Sequence, residues 1–293
     1  MILTENEYNE LMSKIISYFS KKKIDVIFRD KYTIELPKGE YKERVISTRN
    51  LLKICKVTKK EKWNKLVNDF FDIQEEAENF DEIFKEKKND FGFMEEYIGV
   101  RFLAKGYLGG EPEKSSIFLS LLEDVYLTLI FDFPRYTKNI LLEHLEKWNK
   151  SAKELFKIGF SNIENKYRFT VKKQIVQNIL FHKVITQHFF GNMVLFDLEE
   201  RNLVGTFGSL IIVPNRHVTF IYPIESCEVE KAVKVLIYIA DVEFNEPGSL
   251  SYNLYWFKDQ NFTLQRIEKI GKDFVLNPTD DFSNMLTNVR LTE

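Results

Sequence analysis

Hydrophobic and polar positions are most clearly punctuated between Leu210 and Phe257. There the apolar runs Leu210–Val213 and Val218–Tyr222 flank Pro214-Asn215-Arg216-His217, which predicts a β-hairpin, because Pro and Asn suit turn geometry. Pro223 ends the second strand. Val229, Ala232, Val233, Leu236, Ile237 and Ala240 then recur at helical spacing, so Glu228–Phe244 is expected to be a helix packed on a sheet, stopped by Pro247-Gly248. Strands are expected at Leu254–Phe257 and Phe262–Ile267, with the polar turn Lys258–Asn261 between them. A short helix is expected after Pro278.

The same reading applies upstream. Leu11, Ile15, Ile16 and Phe19 mark a helix over Glu5–Ser20, and Thr4 with Glu7 resembles a capping box. Asp25–Arg29 and Tyr32–Leu36 read as a hairpin turning at Asp30-Lys31 and stopped by Pro37-Lys38-Gly39. Helices are expected over Glu40–Val57 and from Lys59 to about Phe84, the second with the stripe Trp63, Leu66, Val67, Phe70 and Phe71. The charged stretch Gln74–Asp90 reads as an exposed helix end or a linker and suggests a boundary.

Tyr97–Ala104 and the apolar Val125–Phe133 read as strands on either side of a glycine-rich loop, Lys105–Ser116. Asn139 to about Ser161 reads as an amphipathic helix broken at Asn149-Lys150-Ser151, with Ser151 capping the second piece and Glu154 completing a capping box. Tyr167–Val171, Phe181–Phe190 and Met193–Leu198 are rich in β-formers and read mostly as strand. The expected class is α+β: a mixed or antiparallel sheet packed by amphipathic helices, over residues 91–293. It is preceded by a helix–hairpin–helix region at 1–90.

Composition narrows the function classes. The 293 residues are 44% hydrophobic and 29% charged, as in a folded globular chain. The 26 Phe and 13 Tyr supply a large aromatic share of the core. With 42 basic against 44 acidic residues the net charge is −2, which argues against a nucleic-acid partner, since such proteins must replace phosphate counterions. Two cysteines, Cys55 and Cys227, make no CxxC and point to thiols in a reducing cytoplasm. No apolar run approaches the roughly 20 residues that span a bilayer, and the N-terminal MILTENEYNE lacks the apolar run of a secretory signal, so no membrane association is expected.

Candidate chemistry is sparse. The loop KGYLGGEPEKSS has neither GxxxxGK[ST] nor GxGxxG, so no phosphate cradle is expected. His182 and His188 are six apart, which does not match one helical face, and no metal set is expected from them or from His144 and His217. Gly208-Ser209 lacks the flanking glycine of a nucleophile elbow. No catalytic residue, cofactor or metal is assigned. A candidate binding surface remains at two polar tips. One is the turn Asn215, Arg216 and His217, where Arg216 could clamp a carboxylate or phosphate. The other is Ser251, Asn253, Tyr255 and Trp256, with Tyr252 among them.

One ordered series resembles a known family. From Val125 onward, an apolar strand ends in Asp132 and Pro134; a helix carries Trp148 and Ser151; Asn162 and Ile163 follow. Pro214-Asn215-Arg216 and Ser251-x-Asn253-Leu254-Tyr255 continue it. In this order, over about Tyr97–Ile267, the chain resembles the YtpQ-like family of bacterial proteins of unknown function. Upstream, only the helix–hairpin–helix order is similar. His217 stands where that family has an acid, so a charge role there does not transfer. The resemblance implies a cytosolic α+β protein and supplies no activity. Taken together, a non-catalytic binding or interaction protein is expected, with another protein as partner, in an adaptor, toxin-neutralising or defence-associated role. The alternative is an enzyme of unrecognised type with a pocket near Arg216 and Tyr255. Oligomeric state is not legible in the sequence.

Overall fold

The structure, a computed structural model, describes residues 3–37, 44–109, 115–245, 248–271 and 273–291. The chain divides into two units, Met1–Glu86 with Pro134–Tyr136, and Lys87–Phe133 with Thr137–Glu293. Of the expected stop signals, Lys38-Gly39 and Pro247 lie outside the described set.

The smaller unit begins with helix α1 (Glu5–Lys21), whose Thr4 and Glu7 do form a reciprocal capping box. Strands β1 (Ile27–Asp30) and β2 (Thr33–Leu36) follow, with the Asp30 carboxylate accepting from the Tyr32 amide at 2.7 Å to set the turn. The expected helix over Glu40–Val57 is corrected. Residues 38–43 lie outside the described set, Arg44–Ser47 is strand β3 paired antiparallel with β2, and only Arg49–Val57 is helical, as α2. The β-branched pair Val45-Ile46 pairs with Glu35 and Ile34, and that ladder overrides the helical pattern around it. Helix α3 (Trp63–Lys87) carries the polar stretch from Gln74 onward as continuous helix. Leu11, Ile15, Phe19, Ile34, Leu36, Leu51, Trp63 and Phe71 close the core of this unit.

The larger unit holds two antiparallel sheets. After a helical turn, α4 (Phe91–Met94), come β4 (Ile98–Ala104), β5 (Phe118–Ser120), β6 (Val125–Asp132) and β7 (Thr137–Asn139). Strand β6 is central: β4 pairs along one edge, and β5 and β7 pair along the other. Residues 110–114 of the expected glycine loop lie outside the described set. The expected helix at Asn139–Ser161 is resolved into β7, α5 (Leu142–Trp148) and α6 (Ala152–Lys166). The break falls at Asn149, left-handed at φ 50°, and Ser151 with Glu154 builds the expected capping box.

The second sheet has the order β14-β13-β12-β10-β11-β9-β8. It comprises β8 (Val171–Val176), β9 (Ile179–Ile185), β10 (Ser209–Asn215), β11 (Val218–Pro223), β12 (Leu254–Lys258), β13 (Asn261–Ile270) and β14 (Asp273–Asn277). Every recorded pairing is antiparallel, so the α+β class takes its antiparallel form. Two hairpins turn on paired left-handed residues, Gln177-Asn178 and Asp259-Gln260, whose twist matches that of the strands they join. Leu210, Ile212, Phe220, Tyr222, Leu254 and Trp256 face helices α7 (Val229–Phe244) and α8 (Asp280–Leu291) in one core. Ile211, Ile221 and Tyr255 point to the opposite face and are also fully buried. That two-sided burial explains the continuous apolar runs from Leu210 to Tyr222.

Two expected strands are corrected. Tyr167–Thr170 precedes β8 rather than forming it, and Gly191–Phe196 is a 3₁₀ helix. Asn192 at its start is fully buried, donating to the Asn215 carbonyl and accepting from the Thr219 hydroxyl, each at 3.3 Å. These contacts fold the segment back onto the β10–β11 turn. Strand β14 has no counterpart among the expected elements; its alternation of exposed and half-buried positions is short and sits at a sheet edge.

Candidate functional site

Period-two geometry divides the polar-aromatic group that closes the Leu210–Phe257 stretch. Ser251, Asn253 and Tyr255 fall on one side, and all three converge on the Asp124 carboxylate, which lies just before β6. The Ser251 hydroxyl donates at 2.7 Å, the Asn253 amide at 2.8 Å, and the Tyr255 hydroxyl donates to the other oxygen. Tyr255 is fully buried, and burial first, then the Asp124 charge, raises its phenol far above the ordinary value. Trp256, one step along, points the other way. Its indole donates to the Phe207 carbonyl at 2.9 Å, and its ring meets Phe282 at 5.5 Å. Ser251 and Tyr255 are committed to the interior, Asn253 is half-buried, and Trp256 lines a separate concavity of about 490 Å³ with Phe207, Lys258 and Asn261. Tyr252 alone among their neighbours is exposed.

The turn residues separate in a similar way. Asn215 is buried; its amide donates to the Glu243 carbonyl and its oxygen accepts from the His217 amide, both at 2.9 Å. His217 Nδ1 meets the His188 carbonyl at 3.1 Å. Burial, then the Arg216 charge, depresses the His217 pKa. Arg216 keeps its guanidinium half-buried, stacked 4.0 Å from the Phe189 ring centre. The main chain from Gly248 to Ser251 runs beside the end of β10, joining Arg216 at one end to Asp124 at the other. The two polar tips are therefore near each other in the chain's fold; Arg216, His217 and Asn253 are half-buried and Tyr252 is exposed, while Asn215, Ser251, Tyr255 and Trp256 are buried.

An aromatic-walled cavity lies elsewhere in this unit. A cavity of about 430 Å³ opens between α6, β5, the segment after α6 and the 3₁₀ turn. Phe160 and Ile163 project from α6, Tyr167 and Phe169 from the segment that follows, and Phe190, Met193 and Phe196 from the turn; Leu119 on β5 completes the wall. The rings brace one another: Phe160 meets Phe196 edge-on at 4.7 Å, and Tyr167 meets Phe190 at 4.4 Å. Charges of both signs stand at the mouth, namely Glu164, Arg168, Asp197 and Arg201. Arg201 pairs with Asp197 at 3.1 Å and lies over the Phe169 ring at 4.7 Å.

Two polar devices hold this wall in place. The Tyr167 hydroxyl donates at 2.7 Å to Asp132, a buried carboxylate at the end of β6. Burial lifts the Asp132 carboxyl above its ordinary value, against the Tyr167 bond and the Lys166 charge, which pull it down. His188 accepts from the Phe190 amide through Nδ1 at 3.2 Å, so Nε2 carries the proton and donates to the Arg168 carbonyl at 3.0 Å. Both ring nitrogens thus orient the pocket wall. Among the described residues, no group of three or more His, Cys, Asp or Glu is placed to hold a metal ion, and no helix is long and apolar enough to cross a membrane.

Sequence reasoning missed this pocket. Phe160, Ile163, Glu164 and Tyr167 keep helical spacing, which is a readable stripe. The reading of Met193–Leu198 as a strand conceals the turn that brings Phe196 to face it. The chain matches no protein-family model, no curated protein and no solved structure.

Proposed function

We propose that this chain is a non-catalytic binding protein whose ligand is a small molecule with an uncharged apolar body, held in the pocket between α6 and the 3₁₀ turn. The observation that supports it most is the pocket itself: about 430 Å³, walled by aromatic and aliphatic side chains. Preformed sites for small molecules have this size and this apolar character. The nearby ionisable groups support binding over chemistry, because Asp132, Tyr167 and His188 are each engaged in holding the wall. The balanced charges at the mouth favour a neutral ligand.

The test is a fluorescence titration with prodan, a neutral, environment-sensitive naphthalene. Wild-type protein is expected to bind it saturably, with a blue shift. Leu119→Trp, placed at a half-exposed wall position, fills the cavity and is expected to weaken binding at least tenfold without loss of helical signal. Non-saturable uptake, or equal binding by the variant, would show that the pocket is not the binding site.

A second reading is favoured by the rim. Leu119 and Phe196 are 44% and 41% exposed, so an aromatic side chain of a protein partner could seat there as an anchor. An adaptor or toxin-neutralising role would use the site in this way. Kinship with the YtpQ-like bacterial family, and a cytoplasmic setting, belong to the same proposal and rest on the motif series at Asp132–Pro134, Trp148–Ser151 and Pro214–Arg216.

A further inference from the structure

Strands β12 and β13 pair Trp256 with Thr263 and Lys258 with Asn261, so these four side chains share one sheet face. Helix α8 lies over that face, its Phe282 ring 5.5 Å from Trp256. The helix buries Phe282, Met285 and Val289. Along one edge of this apolar stripe it carries Asp281, Asn284 and Asn288, whose spacings of three and four residues put them in one row. Between that row and the end of the β12–β13 hairpin opens the concavity of about 490 Å³. The buried Met285 and Trp256 form its floor, and Phe207 completes the apolar part of its lining.

The apolar part is fixed in place. The Trp256 indole donates to the Phe207 carbonyl at 2.9 Å, and the Phe207 amide donates to the Ile224 carbonyl at 3.0 Å. Gly208, at φ 87°, lets this loop lie directly on β12: a Cβ there would stand 2.4 Å from the Phe257 carbonyl oxygen and 2.8 Å from Trp256 Nε1. The polar part is uncommitted. Asn261, Asn284 and Asn288 are exposed, and among the described residues neither their amides nor the Thr263 hydroxyl has a hydrogen-bond partner in the protein. Asn162, Asn192, Asn215 and Asn253 of the same unit each commit the amide to a carbonyl or a carboxylate. The charged groups of the lining, Lys258 against Asp259 and Asp281, give no cationic excess that would select a phosphate.

We propose that the groove between α8 and the β12–β13 hairpin binds a neutral saccharide, with Asn261, Asn284 and Asn288 on its hydroxyls and Phe207, Trp256 and Met285 beneath its ring. A sugar ring has an apolar C–H face and a rim of hydroxyls that both donate and accept. A side-chain amide carries two donors and an acceptor without a full charge, so three of them on two sides of a groove can meet such a rim in either sense. The aromatic floor supplies the apolar contact that fixes the ring, and the volume lies in the range of small-molecule sites. The groove is separate from the pocket between α6 and the 3₁₀ turn and does not rest on that reading.

The test is a titration of the full-length, ¹⁵N-labelled chain with maltose, cellobiose, lactose and N,N′-diacetylchitobiose, read by NMR. The chain has three tryptophans, so the Trp256 indole signal is resolved from few others and is assigned with Trp256→Phe. At least one of the four sugars is expected to shift that signal saturably, while the indoles of Trp63 and Trp148, bonded to the Cys55 and Lys88 carbonyls away from the groove, stay unmoved. The double variant Asn284→Ala, Asn288→Ala is expected to weaken binding by about tenfold or more, the loss of two hydrogen-bonding groups. Both positions are exposed on a helix that alanine favours, so the variant is expected to unfold at the same urea concentration as wild type or higher, and to bind prodan unchanged. No saturable shift with any of the four sugars, or equal affinity in wild type and the double variant, would overturn the site.

Discussion

Asp124 shows how much one side chain can organise. It receives Ser251, Asn253 and Tyr255 on the strand-side segment that closes the sheet, and its own carbonyl ends β4. Removing it leaves three inward donors without an acceptor. Asp124→Ala is therefore expected to destabilise by about 1–3 kcal/mol or more in urea unfolding, because orphaned buried donors cost their desolvation. Tyr255→Phe should cost only about 1 kcal/mol and leave prodan binding unchanged, since it deletes one hydrogen bond while keeping the ring. A binding defect in Tyr255→Phe would restore that residue to a ligand site. His144 supplies a pH dependence. It is buried, its Nδ1 accepts from the Leu141 amide at 3.0 Å, and burial depresses its pKa, as burial also does for His182 and His217. The folded state then binds fewer protons than the unfolded one below the ordinary histidine value of about 6.5, so stability is complete above that pH and falls as pH drops. Urea midpoints at pH 7.5 and 5.5 should show this loss in wild type and a smaller loss in His144→Asn.

At the scale of elements, local signals and tertiary contacts take turns in control. The capping boxes at Thr4–Glu7 and Ser151–Glu154 are legible in the sequence because a cap is a contact between residues three apart. Ser151→Ala should cost about 1 kcal/mol, the usual value of an N-cap, read as a lower urea midpoint. The α6–β4 contact is set by tertiary packing instead. A Cβ at Gly159 would lie 3.0 Å from Val100 Cγ1 and 3.1 Å from the Gly99 carbonyl carbon, so the helix sits directly on the strand backbone. Gly159→Ala would gain roughly 1 kcal/mol of helix propensity, but the displaced strand contact should outweigh it, giving a net loss of stability. A stabilised variant would mean the helix can lift away at little cost. Strands β3 and β7 are hidden for the same reason as the 3₁₀ turn. Each is a short segment flanking a helical pattern, and pairing with β2, β6 or the Asn192 contacts decides its conformation.

At the scale of the whole molecule, the α+β class and the hairpins of the larger unit are readable from alternation and turn residues. The sites are not. The pocket gathers residues from Leu119 to Arg201, a separation at which hydrophobic period carries no information. Arg216 is visible because it stands alone between apolar strands. Each unit keeps its own core, and the aromatic pocket belongs to the larger one alone. There the aromatic pocket is proposed to receive a neutral apolar ligand. The most direct measurement is a crystal structure of the chain with prodan. Naphthalene density is expected between Phe160, Tyr167, Phe190 and Phe196, with the Tyr167–Asp132 bond intact. Prodan bound elsewhere, or the pocket closed by its own side chains, would contradict it.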